Sequence, residues 1–209
     1  LGGIVDGNYK PDAGGKSDIN STTIGGYLTY TPGNGFYADV SYRGFSFDGQ
    51  AFGDVPSIPF SGDASGYSLE LGYGFKTQSG LEIEPQLQYS SVDVSLDEIR
   101  SGNDDFELTD GDSSMIRAGV ALRKSYEQHS GVWTPYTSLN YVDITSASND
   151  YLIGGVLEGG VDVTGGSFLL ELGTDAKYGD LLFNLGVGVQ DGGAYEFVYS
   201  AQMNVRYSW

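Results

Sequence analysis

The feature that most limits the fold of this chain is an alternation of apolar and polar side chains that returns in segment after segment. Apolar side chains occupy Tyr67, Leu69, Leu71, Tyr73 and Phe75, then Leu81, Ile83, Pro85, Leu87 and Tyr89, then Ile116, Ala118, Val120 and Leu122. They return at Trp133, Pro135, Leu139 and Tyr141, at Phe168, Leu170 and Leu172, and at Leu181, Phe183, Leu185, Val187 and Val189. The positions between carry charges and amides among glycines. A period of two held over about ten residues is the signature of a strand and not of a helix. Ten strands are read on this pattern: 3–9, 22–31, 36–47, 66–77, 81–92, 114–124, 132–144, 167–178, 181–190 and 196–209.

The connections alternate as well. Short turns at 31–35, 77–80, 125–131 and 178–180 are followed by long Gly- and Asp-rich loops at 10–21, 48–65, 93–113 and 145–166, and only the hairpin near Asp191–Gly193 breaks the rhythm. An up-and-down meander then has its short turns at one end and its long loops at the other, as transmembrane barrels do. A soluble barrel also has one apolar face, so alternation alone does not separate the two. The apolar face decides it, because it ends in aromatics such as Phe36, Tyr42, Tyr67, Phe75, Tyr89, Trp133, Tyr178, Tyr207 and Trp209, in the manner of interfacial girdles. Segments of about ten residues also match a tilted membrane span. The predicted fold is all-β: one domain over 1–209, an antiparallel up-and-down transmembrane barrel with about ten strands visible, or ten of twelve. No run of apolar residues is long enough for a membrane helix, and with no cysteine there is neither a disulfide nor a thiolate metal site.

Charge follows the same division. On the polar strand faces Asp39, Glu70, Glu82, Glu84, Glu171 and Asp175 face a matching number of bases, Arg43, Lys76, Arg117, Arg123, Lys177 and Arg206. The net charge of −18 therefore falls in loops, turns and strand ends. A balanced interior is expected to pair, with Arg117, Arg123 and Arg206 finding Glu70, Glu82, Glu84 or Glu171, since an isolated interior charge is costly. An acidic chain with no basic stripe is not expected to bind nucleic acid.

The chain closes on "QMNVRYSW", residues 202–209. This octapeptide resembles the C-terminal β-signal of bacterial outer-membrane proteins, which the barrel-assembly machinery recognises. Gln202, Val205, Tyr207 and Trp209 fit its pattern, and Asn204 stands where glycine is usual. The resemblance widens to the autotransporter translocator domain. It rests on "SGLEIEPQLQYSSVDV" (79–94), "SGVWTPYTSLNYVDI" (130–144), "GFYADVSYRGFSF" (35–47), Arg117 to Arg123 around Gly119, and "FLLELGTDAKYGD" (168–180). That family's barrel has twelve strands around a pore-traversing N-terminal helix. The resemblance implies that the helix and first strands lie outside this chain, or that this is a relative with a smaller barrel. Residue 1 opens on "LGGIVDGNY" with no basic n-region or apolar h-region, so any signal peptide is expected to be absent from this chain.

Other chemistries find little support. "GVGVQDGG" (186–193) has phosphate-loop glycines but no helix after it. "GNDDFELTDGD" (102–112) is acidic enough for a divalent ion, yet its spacing misses the EF-hand pattern and it reads as a surface loop. A ten-stranded membrane protease would need a histidine at the loop rim, whereas the single histidine, His129, sits in a short turn at the other end. No enzyme, metal or cofactor is expected. The resemblance implies an outer-membrane translocator in a Gram-negative bacterium, C-terminus in the periplasm, which anchors a passenger in cis and passes it across. Lipid or lipopolysaccharide and the assembly machinery are its implied partners. The alternative is a stand-alone barrel acting as adhesin or structural protein through its acidic loops, and a narrow porin is third.

Overall fold

A computed structural model describes residues 2–9, 16–52, 58–97, 100–101, 104–108, 110–128, 131–148, 150–153, 157–160, 164–193 and 195–207. The strands are β1 (Gly2–Tyr9), β2 (Lys16–Tyr30), β3 (Phe36–Phe52), β4 (Ile58–Tyr73), β5 (Phe75–Lys76), β6 (Leu81–Leu96), β7 (Arg100–Ser101) and β8 (Asp104–Leu108). They continue as β9 (Gly111–Lys124), β10 (Tyr126–Gln128), β11 (Gly131–Ser148), β12 (Asp150–Ile153), β13 (Leu157–Gly160), β14 (Gly165–Tyr178), β15 (Leu181–Gly192) and β16 (Tyr195–Tyr207). One antiparallel sheet runs β1-β2-β3-β4-β6-β9-β11-β14-β15-β16, each strand beside its sequence neighbour, with β5 and β10 adding the last rungs against β6 and β11. The sheet curls into a half-barrel. Among the described residues β1 and β16 each pair on one side only, so two edges stay open.

All ten segments read from the alternation are strands of this sheet, and most are longer than the pattern that revealed them. The stretches 16–21, 48–52 and 58–65, poor in good strand formers and expected to be loop, continue the ladders of β2, β3 and β4. Pairing with an already extended neighbour overrides a weak local propensity. Cross-strand bonds hold these polar rungs, Ser46 Oγ donating to Asp63 Oδ1 at 2.6 Å and Ser61 Oγ to Asp97 Oδ2 at 2.6 Å. The loops expected at 93–113 and 145–166 are not structureless either. They pair with each other, β8 against β12, in a small sheet ordered β13-β12-β8-β7. His129, Ser208 and Trp209 lie outside the described residues.

The turns at the other end are tight. Asn34 Oδ1 accepts the Phe36 amide at 3.1 Å, and Tyr178 pairs with Leu181 across Gly179 and Asp180. Gly179 supplies the positive φ of 57° that such a two-residue turn demands.

Candidate functional site

Burial in this sheet is inverted relative to a soluble protein. Along β14 the large apolar side chains Phe168, Leu170, Leu172 and Tyr178 are exposed, while Ser167 is 1% exposed and Glu171, Gly173 and Asp175 are partly covered. The same holds on β6, where Glu84 is 6% exposed and Leu87 is 51% exposed. In water an apolar outer face of this extent would aggregate; in hydrocarbon it is the face that is wanted. Outward rings gather in two rows. Tyr67 stands 6.0 Å from Tyr89 and Tyr141 5.4 Å from Phe168 toward the long connections, with Tyr73 4.6 Å from Phe75 and Tyr126 5.6 Å from Trp133 toward the tight turns. Phe168 and Tyr178 are ten residues apart on one strand, which at a strand's rise and a barrel tilt makes an apolar band of roughly 25 Å, the height of a membrane barrel's lipid-facing belt.

The concave face carries the chemistry. On one wall Arg117 of β9 reaches across β6 to Glu70 of β4, Nη2 to Oε2 at 2.7 Å, while its Nε donates to Gln88 Oε1 at 2.8 Å. Gln88 in turn donates to Ser68 Oγ at 2.8 Å. Below this, Arg123 Nη2 meets Glu84 Oε1 at 3.1 Å, and Gln86 Nε2 donates to the same oxygen at 2.7 Å. Tyr37 links the two ion pairs, its hydroxyl donating to Glu70 Oε1 at 2.7 Å and standing 3.3 Å from Glu84 Oε1. Its ring lies against Gly72, where any Cβ would collide with it. Each of these four charges thus has its partner, which offsets the cost of holding them away from bulk water.

The other wall is built differently. Glu171 accepts Ser138 Oγ at 2.9 Å, Ser138 is itself bonded by Asn140 Nδ2 at 3.0 Å, and Asp175 accepts Asn184 Nδ2 at 2.8 Å. Asn140, 1% exposed, presses its amide oxygen onto the bare backbone of Gly119, with no hydrogen-bond donor to it among the described residues.

The charged residues read from the sequence thus separate. Arg117, Arg123, Glu70 and Glu84 come together as one bridged network. Lys76 pairs with Glu82 at 3.7 Å at the turn end, with the Lys76 side chain 79% exposed. Asp39 accepts a hydrogen bond from Thr29. Among the described residues Arg43, Lys177 and Arg206 are exposed and make no ion pair, and Arg43 folds across Gly25. Tyr37, Gln86, Gln88, Ser138 and Asn140 were missed. Tyr37 shares the polar parity of Asp39, Ser41 and Arg43, which is the signal that could have found it. On β16, Gln202 faces inward and Val205 and Tyr207 outward.

Comparison with known proteins agrees with this geometry. The family model described as the autotransporter beta-domain matches residues 1–190. The pertactin autotransporters of Bordetella parapertussis and Bordetella bronchiseptica are each 29% identical over 142 residues, which is 63% of this chain and 15% of theirs, so the chain spans a small part of these relatives. The beta domain of the Bordetella autotransporter Brka superposes with a TM-score of 0.73 at 18% identity, over 98% of this chain and 87% of that one. The transport unit of the autotransporter AIDA-I from Escherichia coli gives 0.74 at 15% identity, over 100% of this chain and 74% of that one. At these identities the structural likeness speaks for the fold.

Proposed function

This chain belongs to the autotransporter beta-domain family, and on that premise we propose that it anchors a larger protein in the outer membrane and passes a passenger segment, attached in cis, through its polar interior. It is an outer-membrane translocator domain. The observation that carries the mechanism is the inverted burial, with a lipid-compatible exterior and a hydrogen-bonded interior on the same strands. Where the wall is satisfied by its own ion pairs, as around Arg117 and Arg123, it has little to adhere to a moving chain.

Three finer features belong to this reading. In lipid the open edges of β1 and β16 need partners, and strands outside residues 1–209 supply them and close the barrel. The tight turns and the C-terminus face the periplasm, with the longer connections outside the cell. Gln202, Val205, Tyr207 and Trp209 act as the signal read by the barrel-assembly machinery, and the outward aromatic rows meet lipid and lipopolysaccharide.

The test fuses an epitope-tagged reporter ahead of residue 1 in the full-length context and adds protease to intact cells. Loss of the tag, with the barrel folded by heat-modifiable mobility, is expected. A tag that stays protected on a folded barrel would leave an anchor or adhesin and remove transport.

A further inference from the structure

Past the aromatic row nearest the long connections, the strands exchange the character of their two faces. On β4 the outward parity of Leu69 and Tyr67 continues as Ser65 and Asp63, and on β6 that of Leu87 and Tyr89 continues as Ser91, Asp93 and Ser95. The inward face turns apolar at this level, with Val142 4% and Ile144 8% exposed. The outer face therefore passes from an apolar to a polar surface within a residue or two of the tyrosines. On that polar surface lies a groove of about 630 Å³ that crosses β2, β3, β4, β6 and β9. Two rungs of the ladder build it. Gly44, Ser65, Asp93 and Asp112 stand opposite one another in register, and Ser46, Asp63 and Ser95 follow on the next outward rung. The exposed Tyr42 closes the side toward the apolar band. Gly44 leaves the floor open, since a Cβ there would meet nothing nearer than Ile24 at 3.9 Å.

We propose that this groove binds an unphosphorylated sugar of the outer-leaflet lipopolysaccharide. The inference rests on the outer-membrane reading above and gives one stretch of the outer surface a defined ligand. Position fixes the source. The groove begins one outward rung beyond Tyr42 and Tyr67, so it opens where acyl chains give way to sugars, the level at which interfacial tyrosines sit. Its lining fixes the class of ligand. Asp63 Oδ1 accepts Ser46 Oγ at 2.6 Å and Asp110 Oδ1 accepts Ser95 Oγ at 3.1 Å, whereas Asp93 takes no bond among the described residues. Asp93 also stands directly across from Asp112, a like-charge pairing that is unfavourable alone and that hydroxyl donors from a ligand relieve. Carboxylates are strong acceptors for O–H groups, and the Tyr42 ring offers an apolar surface to the C–H face of a pyranose. The described lining holds no Lys, Arg or His, so a phosphate would meet only like charge. The volume falls among small-ligand sites, which span roughly 300–1,000 Å³.

The experiment places a photo-crosslinking amino acid at Ser91, beside the groove, and separately at Leu172, in mid-band, in the full-length protein purified in micelles. Each is titrated, with a chelator present, with lipopolysaccharide and with the same material stripped of phosphate. From Ser91 both are expected to link through their sugars, and from Leu172 through their acyl chains. The half-maximal concentration at Ser91 should rise about tenfold in Asp93→Asn, as loss of one charge-assisted hydrogen bond implies. Gly44→Leu fills the groove without a backbone clash and should abolish the Ser91 link while sparing that from Leu172. Heat-modifiable mobility checks that each variant still folds. A Ser91 link that needs phosphate or added magnesium, or that neither variant changes, overturns the groove. So does a Ser91 link formed as well with the released oligosaccharide, without acyl chains, because the sugar would then not come from the membrane. Acyl links from Leu172 with none from Ser91 overturn it too, while leaving the outer-membrane reading intact. No link from either position defeats that reading, and the groove with it.

Discussion

Glu84 is the residue whose removal most sharply tests the interior network. It is 6% exposed, and its Oε1 takes Arg123 at 3.1 Å and Gln86 at 2.7 Å, with the Tyr37 hydroxyl 3.3 Å away. Glu84→Leu removes an acceptor from two donors and a counter-ion from an arginine. Breaking a fully buried pair costs about 3–5 kcal/mol. Here the Arg123 side chain is 38% exposed and can turn to water, so about 2–3 kcal/mol is the better expectation. At an m-value of roughly 2 kcal/mol/M, the urea midpoint of the purified protein in micelles should fall by about 1 M or more. Lys76→Met is the control, because the Lys76–Glu82 contact of 3.7 Å involves a side chain 79% exposed, and an exposed pair is worth under about 1 kcal/mol. The double variant with Arg123→Met should lose less than the sum of its parts, the mark of residues that interact. A Glu84→Leu shift no larger than that of Lys76→Met, or a strictly additive double variant, would refute the network.

Leu172 sits outward in the middle of β14, 52% exposed without lipid, and Leu172→Arg should cost about 2–4 kcal/mol in a bilayer unfolding titration; no cost would put that face in water. Gly72→Val drives a side chain into the Tyr37 ring and should cost about 1–3 kcal/mol, largely relieved by adding Tyr37→Ala; a Gly72→Val protein of unchanged stability would contradict the close approach. Tyr207→Asp should cost about 1 kcal/mol or less in micelles, yet sharply lower the amount reaching the outer membrane, while Ser208→Asp is tolerated. Equal failure in micelles and cells would make Tyr207 an anchor only.

What the sequence made legible was parity. Leu170 and Leu172 against Glu171, or Leu87 against Gln88, fix which face a residue occupies before anything is known of its neighbours, because a strand has only two faces. Partner choice was not legible, since it depends on register and reach across several strands. Glu82 sits directly opposite Arg123, yet Arg123 goes diagonally to Glu84, and Arg117 passes over a whole strand to Glu70. Tyr37 was not legible as a member of the network from side-chain type, because an aromatic ring there carries a polar handle inward and sets its ring against a glycine. Composition misled at strand ends, where "KSDINS" (16–21) reads as loop but continues β2.

The most direct measurement of the central claim is a single-cysteine scan along β14, from residue 168 to 178, in outer membranes. The chain contains no native cysteine, so a nitroxide on each position reports one site. Accessibility to oxygen, which concentrates in lipid, should be high at 168, 170, 172, 174, 176 and 178, and accessibility to a water-soluble nickel chelate should be low there. The two should exchange at 169, 171, 173, 175 and 177. The opposite phase, or oxygen and nickel accessibilities that do not alternate, would contradict a strand with lipid on its apolar side and a polar passage on the other.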